Sequence, residues 1–373
     1  MRARTYATVA LISVAFTAGL PGSDPLAQPE IPDTVRPVSA RIIPERLTLC
    51  GEEVPLDRED VRERLEREFY FNLDREGQLV LYLKRAARTM PVVQRVLREL
   101  GLPDDLKYVP VAESGLYFRA ASAAEAMGYW QFIKGTATRY GLTVGTYVDE
   151  RRDLEKSTRA AAAYLKDLRN QFGSWAVALG AYNWGENRME RALSEQGSAS
   201  YYDLYLPDET DRFVFRIACL KLLLENPQGY DIYLPEDRLY HAPATEEVEV
   251  TSKGWLQMVA LSRAAQVSAR TFRYLNPWMN AHTLPPGTYR FTVPEGQAQG
   301  FPGRASRPGS TVPPQSGGQG AVHLVRVGDS LTRLAMRYGV SLEDLERWNG
   351  ISRRDAIHPG QRLIVGNRAT EPG

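Results

Sequence analysis

The sequence predicts a multidomain protein, a mostly α-helical domain followed by two small α+β units of β-α-α-β order. Three observations predict it. Helical periodicity with regular stop signals runs through residues 57–240. Beyond Tyr240 the pattern changes to short alternating pieces. The same β-α-α-β order then occurs twice, on either side of a stretch rich in Gly, Pro, Ser and Gln. A length of 373 residues, 43% hydrophobic and 24% charged, suffices for two or three packed domains. The 46 basic and 45 acidic residues leave a net charge of +1. That balance offers no excess potential for a polyphosphate backbone, so no nucleic-acid partner is expected.

Arg2 and Arg4 precede an uncharged apolar run, residues 7–20, that meets Pro21, Gly22 and Ser23. Residues 1–22 therefore read as an export signal. The run is shorter than the roughly 20 apolar residues of a membrane span, so no span is expected in the mature chain. An uncleaved anchor stays open as an alternative, because the junction lacks an A-x-A pattern. The expected location is the periplasm or cell envelope of a Gram-negative-type bacterium, and the expected state is a monomer. Residues 23–50 are Pro-rich and read as an extended lead-in.

The helical domain spans residues 51–240. Its first helix pairs opposite charges at i, i+4 above an apolar seam of Val61, Leu65 and Phe69. Further helices are expected near 77–89, 91–100, 154–172, 174–183 and 209–225, broken at Gly and Pro. Residues 246–294 form the first small unit, 295–320 a linker too poor in apolar residues to fold, and 322–365 the second unit. Cys50 and Cys219, exported, would meet an oxidising environment, and read either as one disulfide closing a long loop or as buried free thiols. The four histidines show no metal-ligand spacing, so no metal and no cofactor are expected.

One carboxyl group stands out chemically. Leu102-Pro103-Asp104-Asp105-Leu106 opens a helix with Pro at its start and acids in its first turn. Pro110 is expected to kink it, and Glu113-Ser114-Gly115 to end it. At a helix C-terminus, among Val109, Val111, Ala112, Leu116 and Phe118, the ionised form of Glu113 is disfavoured. A raised proton affinity is what a general acid needs near neutral pH.

Two stretches carry family resemblances. Val327-Gly328-Asp329-Ser330-Leu331, Trp348-Asn349-Gly350 and His358-Pro359-Gly360-Gln361 resemble the LysM module, a β-α-α-β domain that binds N-acetylglucosamine-containing glycans. The resemblance implies a sugar groove with Gly328 and Asp329 on one side and Asn349, Gly350 and Ile351 on the other. Residues 246–294 look like a degenerate copy, with Ser252-Lys253-Gly254-Trp255 in place of the Gly-Asp-Ser start. Tyr108-Val109-Pro110-Val111-Ala112-Glu113-Ser114-Gly115, Gly128-Tyr129-Trp130-Gln131-Phe132 and Ala181-Tyr182-Asn183-Trp184-Gly185 resemble the soluble lytic transglycosylase fold related to goose-type lysozyme. Cys50-Gly51-Glu52-Glu53-Val54-Pro55-Leu56 and Leu206-Pro207-Asp208-Glu209-Thr210 narrow the resemblance to the D branch of the lytic murein transglycosylases.

The resemblance implies a lysozyme-like catalytic domain acting on peptidoglycan, the GlcNAc-MurNAc glycan strand of the wall. Glu113 would protonate the bridging oxygen of the MurNAc-GlcNAc bond, then take the proton of the C6 hydroxyl as the 1,6-anhydro ring closes. Ser114, Gln131, Tyr182 and Asn183 would bind substrate. Trp130 and Phe132 are expected in the core. Glu125 stands where the family has Gly and is expected to face solvent; Phe213 stands where the family's motif has Tyr. These departures keep two alternatives open, a catalytically impaired peptidoglycan-binding or scaffold protein and a hydrolysing muramidase.

Overall fold

The computed structural model describes residues 37–305 and 322–366, apart from Gly339 and Arg354. The export segment and most of the linker lie outside the described residues. Among the described residues no helix is long and apolar enough to cross a membrane.

The chain enters through a short hairpin, β1 (Leu47–Leu49) and β2 (Glu52–Val54). Cys50 and Gly51 at its turn both have positive φ, 54° and 80°, as a two-residue type I′ connection requires. Ile43, Leu47 and Leu49 are buried in the main core. The lead-in expected to be extended is therefore partly folded, because its apolar residues find the helical domain to pack on.

α1 (Glu59–Asp74) buries Val61, Leu65, Phe69 and Leu73, one residue per turn. α2 (Glu76–Glu99) is one helix where the sequence suggests two, and Pro91 lies inside it. A single buried stripe of Leu79, Tyr82, Thr89, Val93, Val96 and Leu97 holds both halves in line, outweighing the one lost backbone bond. A 3₁₀ turn, Asp104–Tyr108, leads into α3 (Val109–Ser114). Pro110 thus falls in the first turn of a new helix, where its missing donor costs nothing, and the expected kink is absent. Gly115 closes α3 at φ 57°, and a Cβ there would lie 2.5 Å from the Tyr82 ring.

α4 (Lys134–Arg139), α5 (Leu154–Phe172), α6 (Trp175–Trp184), α7 (Glu186–Gln196) and α8 (Asp208–Glu225) complete the domain. α6 buries every residue from Trp175 to Ala181 and packs on α5, α7 and α8. It is the central post of the domain, as an all-apolar helix must be. The Glu52 carboxylate caps its start, accepting from the Trp175 backbone amide at 2.8 and 2.9 Å and from Ser174 Oγ at 3.0 Å.

In the first small unit, β3 (Thr245–Ser252) and β6 (Gly287–Pro294) pair antiparallel along their full length. The short pair β4 (Leu256–Gln257) and β5 (Thr283–Leu284), with α9 (Met258–Ala264) and α10 (Ala269–Leu275), covers one face. The core holds Phe272, Trp278 and Phe291. α11 (Phe301–Ala305) follows, with Phe301 buried and stacked on Phe272 at 6.3 Å. Residues 301–305, expected in the linker, are thus folded: one aromatic side chain supplies the burial that composition alone did not promise. The last unit has β7 (Val322–Leu324), α12 (Leu331–Tyr338), α13 (Leu342–Asn349) and β8 (Arg362–Ile364) around Val325, Leu334, Leu345 and Leu363.

Cys50 and Cys219 are both buried free thiols, so the disulfide reading is corrected. Cys50 sits in the hairpin turn, where its amide donates to Asp105 at 2.6 Å. Cys219 lies on α8 against Glu68 and Asn72 of α1. Burial raises the proton affinity of both thiols.

Candidate functional site

A cleft of about 590 Å³ opens between α2 and the loop that follows α3. Tyr82 and Arg85 line one wall, Glu113 and Ser114 the floor, Ser122 and Gln131 the other side. Glu113 is half-buried in the last turn of α3. Its carboxyl accepts no hydrogen bond among the described residues. Burial pushes its pKa up to about 8; the Arg216 guanidinium opposes the rise and the Glu209 carboxylate adds to it. Arg216 is itself held by Glu209 at 2.9 and 3.3 Å. The cleft lining therefore holds a carboxyl group whose surroundings favour its protonated form.

The other candidates hold the cleft in shape. Ser114 Oγ, with one hydrogen to donate, lies 3.0 Å from the Pro110 carbonyl and 2.8 Å from that of Tyr129, tying α3 to the 128–132 loop. Gln131, at φ 49°, donates its amide hydrogens to the carbonyls of Ala120 at 3.1 Å and Gly128 at 2.8 Å. Only its oxygen is left to accept from a sugar. Gly128 is obligatory here, because a Cβ would lie 1.9 Å from the Arg151 carbonyl oxygen. Tyr182 Oη donates to the Trp130 carbonyl at 2.7 Å, and burial together with the Glu113 carboxyl raises its pKa. Asn183 Oδ1 accepts from Thr210 Oγ1 at 3.1 Å. Glu113, Ser114 and Gln131 thus share the cleft lining, while Tyr182 and Asn183, at the end of α6, support it from behind.

Trp130 and Phe132 are core residues, as expected, with Trp130 Nε1 donating to Thr158 at 3.0 Å. Glu125 is exposed and absent from the cleft lining, as expected. Phe213 is buried in α8. Tyr82, Arg85, Thr210 and Arg216 are not among the site residues expected from the sequence. The first two belong to a helix whose pattern signals only amphipathicity, and Arg216 is one of many arginines. Thr210 was legible as part of the Asp208-Glu209-Thr210 run.

In the last unit Gly328 and Asp329 lie between β7 and α12, and Asn349, Gly350 and Ile351 at the end of α13. Asp329 accepts from His323 Nε2 at 2.8 Å and the Arg326 amide at 2.7 Å. Asn349 donates to the carbonyls of Leu345 and Ile364, both at 2.8 Å, and accepts from the Ile364 amide at 2.6 Å. Ile351 packs on the core. The Asn349 amide is a clamp between helix and strand, with both its hydrogens engaged. Gly328 and Gly350, both exposed at positive φ, are the open positions of the set.

Residues 96–205 match the Transglycosylase SLT domain and residues 323–366 the LysM domain. Membrane-bound lytic murein transglycosylase D of Escherichia coli K12 is 31% identical over 294 residues, which cover 76% of this chain and 64% of the relative. A putative tributyltin chloride resistance protein of an Alteromonas species is 33% identical over 114 residues, 30% of this chain and 55% of that one. Among solved structures, the 70 kDa soluble lytic transglycosylase of Escherichia coli aligns over 40% of this chain and 26% of its own at 20% identity and a TM-score of 0.32. The chain spans 64%, less than two thirds, of the length of the curated transglycosylase relatives that it matches. It is a multidomain protein with a mostly helical transglycosylase SLT domain and a C-terminal LysM domain, similar over most of its length to lytic murein transglycosylase D.

Proposed function

We propose that the protein is a peptidoglycan lytic transglycosylase of the cell envelope. It cleaves the MurNAc-GlcNAc β-1,4 bond with formation of 1,6-anhydro-MurNAc. The observation that carries the reading is a single carboxyl group on a cleft floor whose pKa lies near 8, with no second acid in the lining. Glu113, protonated at neutral pH, donates to the bridging oxygen as the bond to the MurNAc anomeric carbon breaks. The resulting carboxylate takes the proton of the C6 hydroxyl, whose oxygen closes onto that carbon. Acid and base are the same group, so the two-carboxylate spacing of a hydrolase is not needed. The Arg216 charge favours the carboxylate between the two steps. Ser114 and Tyr182 fix the loop that carries Gln131, whose free oxygen accepts from the sugar. The LysM domain binds the glycan through its exposed Gly328 and Gly350 loops.

Wild-type protein incubated with purified sacculi is expected to release muropeptides with anhydro-MurNAc ends, read by mass spectrometry. Glu113→Gln is expected to lower turnover by about a thousandfold while sacculus binding persists. Reducing MurNAc ends would make the protein a hydrolase, and retained turnover in the variant would remove Glu113 from its role.

A further inference from the structure

The helical domain and the first small unit meet through backbone as well as side chains. The Asp149 amide donates to the Trp278 carbonyl at 2.8 Å and the Asn280 amide to the Tyr147 carbonyl at 2.9 Å. At this junction two consecutive pairs face one another, Phe118-Arg119 from the helical domain and Arg273-Tyr274 from α10. The Phe118 and Tyr274 rings meet edge-on at 5.9 Å, and the Arg88 guanidinium lies 5.4 Å from the Tyr274 ring centre. Arg152 and Arg273 converge on one residue: Arg152 Nη1 donates to Asn280 Oδ1 at 3.0 Å, and Arg273 Nη2 to the Asn280 carbonyl at 2.9 Å.

Among the described residues no carboxylate forms an ion pair with Arg119, Arg152 or Arg273. Asp149, the acid whose charge acts on Arg152, is held by Arg151 through two bonds of 2.9 Å. Glu150 is taken by Lys156 and by the Thr143 amide. Arg152 Nε is buried with no partner among the described residues. Burial holds Arg152 and Arg273 below the usual arginine range; at Arg152 the Asp149 charge opposes the fall while Arg151 and Arg119 add to it, and at Arg273 the Arg152 and Arg119 charges add to it. Crowding unpaired guanidinium groups is unfavourable unless an anion joins them. Arg119 is exposed and adjoins Ala120, which lines the cleft beside Glu113.

We propose that this junction binds the carboxylates of peptides carried on the glycan strand, with Arg119, Arg152 and Arg273 holding the anion and Phe118 and Tyr274 forming the apolar wall. The proposal rests on the reading of the cleft as a peptidoglycan site. A planar guanidinium fork suits a carboxylate, and each MurNAc of a strand lying in the cleft carries its peptide outward on a lactyl arm. The first small unit thereby serves substrate selection at the cleft mouth.

The test compares glycan fragments of equal length with and without their peptides. Wild-type protein is expected to cleave the peptide-bearing fragment with a KM about fivefold lower, and Arg119→Ala to erase that difference with kcat unchanged on both. Arg119→Lys is expected to restore part of it. The exposed position of Arg119 predicts an unchanged melting temperature, which reports folding. No wild-type preference, or an equal loss on both fragments, would overturn the proposal. Displacement of the peptide-bearing fragment by equimolar inorganic phosphate would overturn the peptide assignment in favour of a general anion site. Calorimetric binding of both fragments reads the site without turnover. A peptide preference in binding with no cleavage would therefore retire the proposed activity and leave this site standing.

Discussion

The two β-α-α-β units share a plan and differ in attachment. In each, an Asn at the end of the second helix joins that helix to the closing strand. Asn276 donates to the carbonyls of Phe272 and Thr292 and accepts from the Thr292 amide, as Asn349 does with Leu345 and Ile364. The first unit pairs two strands over eight residues around an aromatic core and is bonded to the helical domain. The second pairs strands of three residues around a small aliphatic core and presents its strand-helix loop to solvent. Duplicating a scaffold that supplies its own helix-strand clamp lets one copy be bonded to the helical domain while the other stays a module.

Core truncations sharpen this contrast most. Phe272→Ala removes a buried ring packed against Phe291 and Phe301 and is expected to cost about 4 kcal/mol. It should lower cleavage of short fragments with it, because the first unit props the 143–153 loop. Leu334→Ala in the last unit is expected to cost about 3 kcal/mol locally and leave that cleavage intact. Denaturant melts paired with fragment assays check both, and equal effects on cleavage would erase the distinction.

Next comes the clamp. Asn276→Ala and Asn349→Ala each leave backbone groups unpaired and are expected to cost about 2 kcal/mol, more visibly for the fully buried Asn276. Amide exchange at Thr292 and Ile364 reports each one separately.

A comparable effect is expected from pH at the cleft. The folded pKa of Glu113, about 8, exceeds its ordinary value of 4.5. The stability this group contributes is complete below about 4.5 and is lost as pH rises toward 8. Glu113→Gln should therefore melt like wild type at pH 4 and gain on the order of 2 kcal/mol over it at pH 9, allowing for screening at a half-buried group. The activity of the wild type should fall as pH rises through 8, as the acid loses its proton. The smallest effect concerns the tail: deleting residues 322–366 is expected to weaken sacculus binding severalfold with little change on short fragments.

Most of the helical domain was legible because amphipathic spacing and Gly stops act locally, as at Val61, Leu65 and Phe69 or at Gly115. The α2 helix was split in the sequence reading because a Pro signal is local while the stripe that overrides it is tertiary. Phe301 was hidden for the same reason. Glu113 could be singled out by its helix-end setting, but Tyr82 and Arg85 reach the cleft from a distant helix and the Arg216 charge acts on Glu113 from another, and no spacing announces that. The junction arginines were equally silent, since positions 119, 152 and 273 meet only after both domains have folded.

The cap that Glu52 places on α6 joins residues 122 and 123 positions apart. At its other end the same helix carries Tyr182 and Asn183. A chain made from its N-terminus completes the β1–β2 hairpin early and then waits for α6 before that contact can close. The support that Tyr182 and Asn183 give the cleft thus depends on a contact of long sequence separation, which helix formation alone does not complete. Recovery of cleavage after refolding should lag recovery of helical signal.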